Sequence, residues 1–61
     1  MKRERIIKGL CFSLGNYTSR RNEFEKGLKY RLYVDNIPTG YTFGTLRDGW
    51  QFVNDNYWRW L

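Results

Sequence analysis

Two segments of the chain show a clear pattern of apolar and polar positions, and they predict different elements. In residues 28–35 the two classes alternate, with Leu28, Tyr30, Leu32 and Val34 on one face and Lys29, Arg31, Tyr33 and Asp35 on the other. A period of two is typical of a strand, which here has one apolar and one basic face. Further along, apolar residues recur at helical spacing within an arc of about 80°: Leu46, Trp50, Val53, Tyr57 and Trp60. The pattern predicts a strand followed by an amphipathic helix.

The start of this helix has its own local signals. Thr45 is the candidate N-cap, and Asp48 stands three residues on, in the capping-box position. Gly49 lies beside the apolar stripe, where a missing side chain would let the helix approach a sheet closely. The alternative is a hairpin in which Asp48-Gly49 forms the turn between residues 43–47 and 50–53.

The remaining segments complete an α+β fold. Residues 6–14 have the composition of a strand, and residues 16–27 read as a long loop in which Ser19 caps a short helical turn. Residues 35–40 are rich in turn formers: Pro38 fixes its φ, and Gly40 can take a positive φ. We expect the turn to bring residues 41–43 back beside the preceding strand. The sequence therefore predicts a three-stranded antiparallel sheet packed against one C-terminal helix, as a single domain over residues 1–61.

Charge and aromatic content point to a binding protein. Eleven basic residues against six acidic ones give a net charge of +5, and 20% of the 61 residues are aromatic. A core this small cannot hold every ring, so we expect some on the surface, beside an anionic partner.

Cys11, the one cysteine, favours a buried structural thiol and a reducing, cytoplasmic setting. The chain has no run of roughly eighteen apolar residues, so the sequence predicts no membrane span. Lys8 and Gly9 interrupt the short apolar stretch that superficially resembles a signal peptide.

The residue types in the chain do not indicate an enzyme or a metal-binding protein. The chain has no histidine and one cysteine, and its six carboxylates form no recognised catalytic pair. Gly40 and Gly44 are not followed by the Gly-Lys-Ser or Gly-Lys-Thr of a phosphate loop. We therefore expect no enzyme, no cofactor, no metal and no small-molecule substrate.

The candidate nucleic-acid-binding residues are cations, together with one ring. The predicted sheet face presents Lys29, Arg31 and Tyr33, which suit phosphates and bases, although an ordinary solvated face is the plain alternative. Two further basic clusters are expected to flank this face and contact the phosphate backbone: Arg20 and Arg21 on the loop, and Lys2, Arg3 and Arg5 at the N-terminus.

A second set of residues suits a protein partner. Trp58 lies off the helical stripe on the side of Arg47, Gln51 and Asn54, and Phe52 lies off it on the opposite side. With Arg47 and Arg59, these rings are candidates for an interface; the alternative is that they complete the core at its rim.

A family resemblance supports nucleic-acid binding. The segments Tyr30-Arg31-Leu32-Tyr33-Val34, Thr39-Gly40 and Phe43-Gly44-Thr45-Leu46-Arg47-Asp48 resemble the DNA-binding fold of plant ethylene-response factors and of the arm-binding domains of tyrosine recombinases. The resemblance covers about half of the chain and implies a sheet that enters the major groove. The alternative function is a phage-type inhibitor or adaptor, similar to anti-CRISPR and other anti-defence proteins, that binds a protein or nucleoprotein complex through exposed aromatic residues.

Overall fold

The computed structural model describes residues 3–16 and 29–61. Its elements are β1 (Glu4–Ile7), β2 (Leu10–Asn16), β3 (Tyr30–Val34), β4 (Ile37–Phe43), helix α1 (Leu46–Asn56) and a final 3-10 turn (Tyr57–Trp60). The strands form one antiparallel sheet in the order β1-β2-β3-β4, and α1 packs across it. The predicted α+β class is confirmed, but the described part of the sheet has four strands where three were predicted.

The extra strand comes from a hairpin inside the segment that was predicted to be one strand. Lys8 and Gly9 have φ angles of 53° and 85°, and Ile7 pairs directly with Leu10. Positive φ at both central residues is the geometry of a tight two-residue hairpin turn. The prediction of one continuous strand over residues 6–14 is therefore wrong.

The β3–β4 connection is a tighter turn than residues 35–40 suggested. Its positive φ angles belong to Asp35 (50°) and Asn36 (66°), and β4 begins directly afterwards. Pro38 and Gly40 therefore lie within β4, and Gly40 has no positive φ. Pro38 is compatible with β4 because proline within sheets occurs on edge strands and at bulges, and β4 is an edge strand with a bulge. The expected return of residues 41–43 beside β3 is confirmed.

A bulge in β4 is closed by a side chain. Arg31 pairs with Thr42, whereas Tyr33 pairs with Pro38, so β4 carries extra residues between these pairs. The Thr39 hydroxyl donates to the Leu32 carbonyl at 2.7 Å, which satisfies a backbone acceptor at the point where the ladder is interrupted.

The core lies between the sheet and α1. Its buried members alternate along β2 and β3 and repeat at helical spacing on α1: Phe12, Leu14, Leu32, Val34, Trp50 and Val53. The rest of the predicted helical stripe is half buried against this cluster, comprising Leu46, Tyr57 and Trp60. The predicted apolar face is thus confirmed for Tyr30, Leu32 and Val34 of β3, and the predicted apolar stripe is confirmed for the helix.

The helix begins where its local signals indicated. The Thr45 side chain accepts from the Asp48 N–H at 3.0 Å, so the predicted N-cap is confirmed and the alternative hairpin at Asp48-Gly49 is wrong. A Cβ built at Gly49 would lie 2.6 Å from Cδ1 of Leu14. Because that distance is shorter than any ordinary van der Waals contact, glycine is what allows α1 to pack this closely on β2.

Some predictions fall outside the described residues. These are the loop over residues 17–27, the helical turn capped by Ser19, and the side chain of Leu28. Asn16, which was predicted to begin the loop, is instead the last residue of β2. Among residues 3–16 and 29–61, no helix is long and apolar enough to cross a membrane.

Candidate functional site

A groove runs between strand β1 and helix α1. The helix packs mainly over β2, β3 and β4, so edge strand β1 extends past it and forms the second wall. The open space has a volume of about 1250 Å³, and its lining combines arginines with helix side chains: Arg3, Glu4, Arg5, Ile6, Arg47, Trp50, Gln51 and Asn54. We call this feature the arginine groove.

The sheet register places Arg3 and Arg5 on the helix side. Arg5 pairs with Phe12, whose side chain is in the core beneath α1. Arg3 extends the same pairing, since its carbonyl accepts from the Leu14 N–H at 3.0 Å. Residues two apart on a strand share a face, so both arginines point toward the helix. The expectation that they flank the Lys29, Arg31 and Tyr33 face does not fit this geometry.

Aromatic rings hold both arginines in place. The Arg5 guanidinium carbon lies 4.9 Å from the ring centroid of Trp50, and that of Arg3 lies 5.2 Å from the ring centroid of Tyr30. Arg3 also donates to Oδ1 of Asn16 at 2.8 Å. Such cation–π contacts stabilise a guanidinium by about 0.5–1 kcal/mol at exposed sites. They also orient the head groups before any ligand binds.

The helix supplies the opposite wall of the groove. Arg47 is exposed in the first turn of α1, and Gln51 and Asn54 follow it on the same side at helical spacing. Nε2 of Gln51 donates to Oδ2 of Asp55 at 3.0 Å. The groove therefore combines cationic groups with amides, which can both donate and accept hydrogen bonds.

The lining of the groove carries a positive charge. Three arginines less one glutamate leave +2 among its members. Glu4 alternates with Arg3 and Arg5 along β1, and it pairs with Ser13 on the far side of the sheet. Its side chain therefore leaves β1 on the face opposite that of Arg3 and Arg5, although Glu4 still borders the groove. Such a concave positive surface attracts anions.

The opposite sheet face differs from its expected form. Arg31 and Tyr33 do share it, since they pair with Gly15 and Ser13 on β2, and Lys29 is exposed just before β3. The Tyr33 ring, however, lies against Gly15, where an added Cβ would be 2.7 Å from the ring. Arg31 is half buried, and its Nε is buried. Tyr33 thus has a packing role that the alternating pattern did not reveal.

Phe52 belongs to an intramolecular aromatic cluster. Its ring centroid lies 4.5 Å from Tyr41, 5.3 Å from Phe43 and 6.3 Å from Trp60, and Trp60 packs edge-on against Phe12 at 5.8 Å. Phe52 also packs against the core cluster, in line with the alternative that it completes the core at its rim.

Trp58 is different, because 59% of its surface is exposed. Its indole Nε1 donates to the Asp55 carbonyl at 3.0 Å. The Arg59 guanidinium carbon lies 5.5 Å from its ring centroid, and Arg59 also contacts the Tyr41 hydroxyl at 3.4 Å. These contacts fix the orientation of a ring that remains open to solvent.

Comparison with known proteins leaves the site to be judged on its geometry. No family model, curated protein or solved structure matches the chain. The resemblance to plant ethylene-response factors and recombinase arm-binding domains therefore stays a prediction from the sequence.

The remaining predicted residues are three cations and Cys11. Lys2, Arg20 and Arg21 lie outside the described residues. The prediction of a buried Cys11 thiol is wrong: the side chain is half buried, and it faces away from α1 because it alternates with Phe12 along β2.

The groove members that were not predicted as site residues are Glu4 and Ile6 of β1 and Trp50, Gln51 and Asn54 of the helix. Gln51 and Asn54 share the helical side of Arg47, and that periodicity was visible in the sequence. The position of β1 beside this side of α1 could not be predicted, because the sequence analysis did not recognise β1 as a separate strand.

Proposed function

We propose that this protein binds nucleic acid and that the arginine groove holds the phosphate backbone. The observation that carries this proposal is the convergence of Arg3, Arg5 and Arg47 on one concave surface. A guanidinium presents several N–H donors in one plane and pairs well with phosphate oxygens. Three such groups along one groove suit a ligand with regularly spaced anionic charges.

Pre-orientation supports the same function. The rings of Tyr30 and Trp50 restrict Arg3 and Arg5, so less side-chain entropy is lost when a phosphate binds. Gln51 and Asn54 add amide groups that can hydrogen-bond a sugar or a base edge. The net charge of +5 adds long-range attraction for a polyanion.

A salt titration tests this proposal. Fluorescence anisotropy with labelled DNA and RNA oligonucleotides, single-stranded and duplex, would give affinities between about 50 and 200 mM salt. Each neutralised phosphate contributes a log–log slope of about 0.7 to 0.9. Three groove arginines therefore predict an affinity loss of at least about 20-fold across this range. Absence of binding to every oligonucleotide at the lowest salt concentration would refute the function.

A second candidate is the inhibitor or adaptor that binds a protein or nucleoprotein complex. The observation that favours it is the exposure of Trp58 (59%) and Leu61 (65%) beside Arg59, since Trp and Arg commonly anchor protein interfaces. This function predicts a complex that survives about 200 mM salt, where a purely phosphate-driven complex would have weakened strongly.

A further inference from the structure

The groove and the exposed indole of Trp58 point to one class of nucleic acid. We propose that the ligand is single-stranded, with its phosphates in the arginine groove and one base stacked on Trp58. This inference rests on the proposed function and adds to it the strandedness of the ligand and a base-contacting residue.

Trp58 follows the helix wall of the groove in sequence and lies in the 3-10 turn after α1. Arg47, Gln51 and Asn54 line the groove, and Trp58 follows Asn54 by four residues, just beyond the end of α1 at Asn56. The eleven-residue separation from Arg47 corresponds to about 16 Å along a helix axis. A strand bound by the arginines would have to extend past the C-terminal end of α1 to reach the indole.

The indole is prepared to receive a base. The hydrogen bond from Nε1 to the Asp55 carbonyl and the contact with Arg59 restrain its orientation, and more than half of its surface is exposed. Stacking on an aromatic side chain is tolerant of sequence because every base has a π face. Single-strand binders combine a cationic groove with aromatic rings on which bases stack, and this chain carries both features.

The two rings that contact the groove arginines do not offer this surface. Trp50 is only 8% exposed and lies under Arg5, and Tyr30 is half buried under Arg3. These two rings therefore position cations, and Trp58 is left as the ring that can stack. Bases within a duplex are already stacked on their neighbours, so an indole gains a base face only from a strand with unpaired bases.

The test compares Trp58→Ala with Trp58→Phe on matched ligands. Anisotropy would be measured with a labelled single strand and with a duplex of the same sequence, after circular dichroism has shown that both variants keep the wild-type fold. We expect Trp58→Ala to weaken single-strand binding roughly 5- to 150-fold, the range for losing one stacked base. Trp58→Phe keeps a ring and should retain most of the affinity. The duplex should bind more weakly than the single strand and should respond little to either variant.

The outcomes separate this inference from the proposed function. Unchanged single-strand affinity in Trp58→Ala, or tighter binding of the duplex, would overturn the inference while nucleic-acid binding stands. If wild-type protein binds neither ligand at low salt, the proposed function fails and the inference fails with it. A Trp58→Ala variant that loses only a protein partner, with its nucleic-acid affinity intact, would also overturn the inference.

Discussion

At the scale of single residues, Gly49 is the position where the sequence most directly determines the packing. An added Cβ would lie 2.6 Å and 2.9 Å from the two terminal carbons of Leu14, which is itself 1% exposed. A buried side chain has little room to move, and overpacking costs about 1–3 kcal/mol. That cost exceeds the helix-propensity gain of about 1 kcal/mol from replacing glycine.

We therefore expect Gly49→Ala to lower the free energy of unfolding by about 1 kcal/mol, measured by urea denaturation. Gly40→Ala is the matched control, because nothing lies within 4 Å of its added Cβ and its φ is not positive. That control should change the free energy of unfolding by less than about 0.5 kcal/mol. A Gly49→Ala variant as stable as the control would show that the helix does not approach β2 this closely.

The contacts of individual side chains show which features the sequence can predict. Trp50 and Val53 were predicted to face the core from their spacing alone, and they do so. The spacing could not show that Arg5 would cover the ring of Trp50, or that Tyr33 would cover Gly15. Both contacts join residues that are distant in sequence, so they depend on strand register, which periodicity does not specify.

At the scale of elements, the turn at Lys8-Gly9 explains the missed strand. Tight hairpin turns with positive φ at both central residues favour Asn-Gly, and a lysine at the first position is an uncommon choice. The strand-like composition of residues 6–14 therefore gave no clear sign of the turn. By contrast, Thr45 caps α1 through a contact only three residues away, which is why the start of the helix could be predicted.

The same turn makes a prediction about stability. Lys8 is exposed and has a φ of 53°. Asn tolerates this conformation better than Lys, whereas a β-branched residue tolerates it poorly. Lys8→Asn should raise the melting temperature by about 3 °C and Lys8→Val should lower it by about 5 °C. The two variants remove the same charge, so their difference in thermal unfolding reports the backbone conformation. Equal melting temperatures would argue against a turn at Lys8-Gly9.

At the scale of the whole molecule, the two faces of the sheet carry different features. One face packs against α1 and, where β1 extends past the helix, forms the arginine groove. The other presents Lys29, Arg31 and Tyr33, which the sequence alone favoured as the nucleic-acid-binding face. The sequence indicated the basic character of both regions. It could not indicate that Arg3 and Arg5 join Arg47 across a groove, because this requires the pairing of β1 with β2.

The central claim is that the arginine groove is the interface for nucleic acid. Its most direct test compares two double variants that each remove two positive charges: Arg5→Gln with Arg47→Gln in the groove, and Lys29→Gln with Arg31→Gln on the opposite face. The salt dependence of single-strand binding is measured for both, after circular dichroism has shown that each is folded. The groove variant should reduce the log–log slope by about 1.5, because two phosphate contacts are lost, and the opposite-face variant should keep the wild-type slope. The reverse result, a slope reduced only by the opposite-face variant, would contradict the account.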